Sequence, residues 1–188
     1  MKRFLAIVTL SIALMACGET NVEFVQQMNY TTTLSLTGDD GGTISPSDQT
    51  ILLRSGVDFM LAEQTPELAS HRGRFEALQI QQVTYAIKSN SISADIGALE
   101  IAVGPLGVDD PSAPDAVLIA TIPQIAARGG GEGAAEVHHE NSVPAEAHVF
   151  PLDFGIAQGA EFQVAAGSEV PQGSITLDIE MFLTLVAQ

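Results

Sequence analysis

Three of the four histidines fall within eleven residues, as His138-His139-Glu140 and His148, with Glu136 and Glu146 close by. Imidazoles beside carboxylates suit a divalent transition metal such as zinc. The spacing falls short of a complete site. His139-Glu140-Asn141-Ser142-Val143 begins like the helical metalloprotease pattern, yet Val143 stands where the second histidine belongs and Pro144 stops a helix there. His138, His139 and His148 are therefore the zinc candidates, with no metal site assigned. Asp39-Asp40 in a glycine-rich turn, and Asp109-Asp110 with Asp115 in a proline-broken loop, offer oxygen ligands for calcium. Neither follows the spaced acids, central glycine and terminal glutamate of an EF-hand loop, and aspartates in turns ordinarily bond their own backbone.

Other chemistry finds less support. Gly129, Gly131 and Ala134 fit the outline of a dinucleotide-binding turn. No strand leads into them, and Glu132 and Glu136 would face the pyrophosphate, so the segment reads as a flexible glycine linker. No serine sits in a Gly-x-Ser-x-Gly elbow. Carboxylate pairs abound, but with 5% aromatic residues and no Trp the chain lacks platforms for sugars. The reading is a protein without a catalytic residue set or a cofactor. A metal-binding protein is the first alternative and an envelope hydrolase the last.

The elements around these residues are strands. Tyr30, Thr32, Leu34 and Leu36 alternate up to a turn at residues 37–42. Ile51–Leu53 is a second, short candidate. Leu78 and Ile80 share one phase while Val83, Tyr85 and Ile87 take the other, which predicts a bulge at Gln81-Gln82. Leu99, Ile101 and Val103 alternate until Gly104-Pro105, and Val117–Ile122 reads as a strand buried on both faces. Ala147–Phe154 reads as an edge or bulged strand because Pro151 removes a ladder donor, with Glu161–Ala165 after it. From Ile175 to Leu185 every second residue is apolar, and that face, Met181 included, is predicted core. Helix is scarce: Thr65-Pro66-Glu67 starts a turn or two, and Gln124–Arg128 reads as one turn closed by Gly129. Short strands divided by Gly, Pro and Asp predict an all-β fold, one antiparallel β-sandwich of jelly-roll or Ig-like type. Strands this short, in a chain with 2 Tyr and no Trp for aromatic girdles, argue against a membrane barrel.

Charge narrows the partners. With 7 Lys+Arg against 23 Asp+Glu the net charge is −16, while 46% hydrophobic residues supply a core. That surplus of acid excludes nucleic acid, whose binding rests on neutralising phosphates. Anionic headgroups should repel the domain over about 8 Å at physiological salt.

The N-terminus supplies an address. Lys2-Arg3 precede an apolar run from Phe4 to Met15, shorter than the roughly 20 residues a spanning helix needs. Leu14-Met15-Ala16-Cys17 resembles the lipobox of bacterial lipoproteins: an aliphatic residue, a tolerant position, a small residue and the cysteine. The resemblance implies a helical signal peptide over 1–16, cleavage before Cys17 and a covalent diacylglyceryl lipid on its sulfur. Gly18 in place of aspartate implies the outer membrane of a Gram-negative host. Cys17 is the only cysteine, so no internal disulfide is available. The expected organisation is a lipidated tether over 17–27 and a sandwich domain over 28–188. The acyl chains would make the membrane contact, with envelope or surface proteins as partners in a binding or structural role.

Overall fold

The last strand organises the molecule. In the computed structural model, which describes residues 9–12, 22–36, 49–70, 75–139, 143–144, 152–164 and 171–187, β11 (Gly173–Ala187) lies inside a sheet. Ile175, Leu177, Ile179, Met181, Leu183 and Leu185 are all buried on one of its faces, as their period of two requires. Each such burial contributes about 1.5–3 kcal/mol. On one side β11 pairs with β2 (Val22–Leu36), residue for residue from Ala187↔Val22 to Gly173↔Leu36. On the other it pairs with β4 (Phe75–Asn90).

The predicted bulge in β4 is present. Phe182 pairs with Gln82 and Leu183 with Ile80, so Gln81 is the extra residue. That insertion lets Leu78, Ile80 and Val83 all turn inward and become buried despite their change of phase.

The first sheet runs β1-β2-β11-β4-β7, with β1 at Thr9–Ile12, β7 at Gly131–Ala134 and β9 (Val143–Pro144) also paired to β4. The second runs β3-β10-β5-β6-β8, with β3 at Gln49–Met60, β5 at Leu99–Gly104, β6 at Val117–Ile122, β8 at Glu136–Val137 and β10 at Asp153–Val164. Every pair is antiparallel. The pairs β2–β11, β3–β10, β4–β7 and β5–β6 nest one inside the next, so the chain is a long hairpin folded over on itself. That is the jelly-roll version of the expected all-β sandwich. Two short helices, α1 (Leu61–Gln64) and α2 (Pro66–Ala69), follow β3, and Pro66 opens α2 as predicted. No helix among the described residues is long and apolar enough to cross a membrane.

The sheets meet through aromatic rings. Phe59 of β3 lies edge-on to Tyr30 of β2 at 5.5 Å and stacks on Phe154 of β10 at 5.8 Å. At the end of the two strand orders where β7 and β8 lie, the stretch from β7 to β8 steps from one sheet to the other. Ala135 N–H donates to Val83 O in the first sheet and His138 N–H to Ile119 O in the second, each at 2.9 Å.

Several expectations need correction. Residues 9–12 of the expected signal-peptide helix form β1, paired with Phe24–Gln27, because the edge of β2 offers hydrogen bonds that the alternating Thr9-Leu10-Ser11-Ile12 accepts. The tether read to residue 27 stops before Val22, where β2 begins. The supposed linker Gly129–Gly133 contributes Gly131–Ala134 to β7, and bare glycine lets it lie against Tyr85, whose Oη is 3.0 Å from where a Cβ of Gly133 would stand. Ile125 forms an isolated bridge with Ile96 instead of a helical turn, although Gly129 N–H does close a turn on Ala126 O at 2.7 Å. The strand β10 starts at Asp153, past Pro151, takes in the expected strand from Glu161, and is interior between β3 and β5 instead of an edge. Residues 145–151 lie outside the described residues. In β6 Val117, Leu118 and Thr121 are half-buried, so only part of that strand is enclosed on both faces.

Candidate functional site

Among the described residues, the predicted ligands do not form a metal-holding group. His138 follows β8, and its Nε2 lies 2.9 Å from Thr121 Oγ1 on β6. His139 and Glu136 are exposed. His148, Glu140, Glu146, Asp39, Asp40 and Cys17 lie outside the described residues. Among the described residues no three His, Cys, Asp or Glu side chains are grouped to hold a metal ion.

Asp110 has a structural task. Its Oδ1 accepts from Ser112 N–H at 2.9 Å and from Ser112 Oγ at 2.7 Å, and its Oδ2 meets Arg54 Nη1 at 2.8 Å. The Ser112 hydroxyl, then its amide, and finally the Arg54 charge hold the Asp110 carboxyl below its ordinary value.

These contacts fasten a strap, residues 105–116, across the outer face of the second sheet. Gly56, Gly155, Gly159 and Ala157 provide a floor of small residues beneath it. A Cβ on Gly56 would stand 2.2 Å from Val108 O, and one on Gly155 2.6 Å from Pro105 O. Gly107 N–H donates to Asp58 Oδ1 at 2.7 Å, and Val108 is buried. Beside the strap lies a groove of about 430 Å³ with Arg54, Glu100 and Glu161 on its walls.

A larger groove of about 690 Å³ lies on the outer face of the first sheet. The register places Thr31, Asp178, Ala86 and Glu132 in one row across four strands, and Asn29, Glu180 and Thr84 in the next. Asp178 accepts from Thr31 Oγ1 at 2.7 Å and from Lys88 Nζ at 2.8 Å. Glu180 accepts from Gln27 Nε2, with Thr84 Oγ1 at 3.5 Å from its other oxygen. Both carboxylates are thus engaged as sheet cross-links. The surface can offer hydrogen bonds and negative charge to a polar partner.

The Lys88 contact, then the Thr31 hydroxyl, hold the Asp178 carboxyl below its ordinary value. A depressed carboxyl stabilises the fold fully above the unfolded value of about 3.9, and this is lost as pH falls through the lower folded value. Asp178→Asn should therefore lower the melting temperature at pH 7 and leave that difference smaller below pH about 3. The side chain is 40% exposed, so the effect is modest. A difference that stays constant down to pH 2 in parallel melts would refute this.

The interior also carries polar groups. Gln158 Nε2 donates to Tyr30 Oη at 3.0 Å between the sheets. Burial pushes the Tyr30 hydroxyl far above its ordinary value, against the opposing pull of that bond. Tyr30 therefore stays neutral, and the pair registers one sheet against the other. Sequence reasoning missed both this pair and the strap. Gly56, Gly155 and Gly159 were the available signal, since glycine inside a strand marks a close approach.

No protein-family model matches the chain, and no curated protein matches it. Solved structures give distant likenesses. A decameric BFDV capsid protein is 13% identical over 88% of this chain and 99% of its own, with a TM-score of 0.39. The desmodium yellow mottle tymovirus structure is 11% identical over 94% of both chains, with a TM-score of 0.31. The infectious bursal disease virus Gx strain structure is 11% identical over 96% of this chain but only 41% of its own, with a TM-score of 0.33. Likenesses this distant carry no function to this chain.

Proposed function

We propose that the chain is a lipid-anchored cell-envelope protein with a non-catalytic binding or structural role. The observation that carries this reading is the order of Lys2-Arg3, the apolar run from Phe4, and Leu14-Met15-Ala16-Cys17. Cleavage before Cys17 would place the lipid five residues ahead of β2. Residues 17–21 reach about 17 Å when fully extended, so the sandwich would stand almost on the bilayer. Two acyl chains at about 0.8 kcal/mol per buried methylene hold such an anchor in place. The engagement of Asp110, Asp178 and Glu180 within the fold supports the non-catalytic half of the reading.

Expression in a Gram-negative host tests it. The expected product lacks residues 1–16, carries a lipid mass on Cys17 and partitions into detergent. Cys17→Ser should lose the lipid and move to the aqueous phase. Equal partitioning of the variant and the parent would overturn the anchor.

A further inference from the structure

The outer edge of β2 is unusual for an edge strand. β1 covers only Phe24–Gln27, so Met28–Leu36 pairs with no strand on that side among the described residues. Exposed edges are ordinarily blunted by charge, proline or a bulge. From Phe24 to Leu36 this strand has no charged residue and no proline, and its register with β11 is unbroken. In a chain of net charge −16, such a stretch is where a second acidic molecule can approach without direct repulsion.

We infer that the Met28–Leu36 edge pairs antiparallel with the same edge of a second copy of this chain, about a two-fold axis at Thr32. The nine uncovered residues are centred on Thr32, and folding them about it matches side chains by face. Thr31 meets Thr33 and Asn29 meets Ser35 on the outer face, whereas Tyr30 meets Leu34 and Met28 meets Leu36 on the inner face. An offset of one residue would oppose polar to apolar throughout. The second sheet ends on the same side: β3 is its edge strand, and Thr32 Oγ1 lies 3.1 Å from Ser55 Oγ near the middle of β3. The axis at Thr32 therefore brings the two β3 edges to the same junction. Their charges, Arg54 and Asp58, are one of each sign. An isologous contact of this kind closes as a dimer and leaves no free β2 edge to propagate. It goes beyond the lipid-anchor reading: loss of residues 1–16 would uncover Phe24–Gln27 as well, and the face-matched pairing of Met28–Leu36 about Thr32 would be unchanged.

Sedimentation of the full chain at tens of micromolar should give a dimer. Thr31→Glu/Thr33→Glu sets like charges opposite each other on both sides of the axis and should weaken the dimer about tenfold or more. Thr31→Lys/Thr33→Glu removes the same hydroxyls but sets opposite charges together, and should retain it. Circular dichroism shows whether either variant fails to fold. In a Cys17→Ser background, mixing Thr31→Cys with Thr33→Cys under a mild oxidant should crosslink faster than either variant alone. A monomeric parent chain would overturn the inference. So would equal crosslinking by the single variants and the mixture, which would mean another register or a random encounter.

Discussion

Replacing Phe59 by alanine should cost about 3–5 kcal/mol, the range for deleting a fully buried aromatic ring. Phe59 is 2% exposed and touches both sheets, through Tyr30 of one and Phe154 of the other. Its removal deletes apolar burial and two ring contacts at once, and the strands around it cannot collapse into the gap without changing register. Against a typical total of 5–15 kcal/mol, the loss is a large fraction of the stability. Denaturant titration should show the midpoint fall with the slope nearly unchanged. Phe59→Leu, which keeps most of the volume, should lose substantially less. A loss below about 1 kcal/mol for Phe59→Ala would mean that the aromatic cluster does not join the sheets.

Gly56→Ala should destabilise, although alanine usually improves on glycine inside a strand by about 0.5–1 kcal/mol. The added Cβ would stand 2.2 Å from Val108 O and 3.1 Å from Asp109 Cα, both backbone atoms, so the strap itself must move. Overpacking of this kind costs about 1–3 kcal/mol. The displaced strap would strain the bond from Gly107 N–H to Asp58, so hydrogen exchange at Gly107 should quicken. Gly130→Ala is the control, because a Cβ there meets nothing within 4 Å. If both variants melt alike, the strap does not rest on Gly56.

The sandwich was legible wherever side-chain period and burial act together. In β11 each alternate residue faces the core, and the phase change between Ile80 and Val83 marks a bulge at Gln81-Gln82, where the register skips Gln81. Misreadings came where local composition conflicts with long-range pairing. Glycines at 129–133 look like a linker, yet β4 supplies a ladder that bare backbone can join. Pro151 made its neighbourhood look like an edge, although the strand starts two residues later. The candidate ligands were the least legible part. Closeness in sequence placed His138 beside His139, but side chains on consecutive residues diverge, and His138 faces Thr121 while His139 faces solvent. The strap was invisible because what selects its glycines is a loop some fifty residues away.

The nested pairing also sets an order in time. The first long strand, β2, has its full-length partner in the last one, β11, which begins at Gly173. Emerging from a ribosome or a translocation channel, β2 must wait until nearly the whole chain has followed before its main ladder can form. Contacts so distant in sequence make for slow folding, on the scale of milliseconds to seconds. During that interval a long, uncharged, β-prone segment stands unprotected. The longer the wait for β11, the more the yield of folded protein depends on keeping that segment from pairing with other chains.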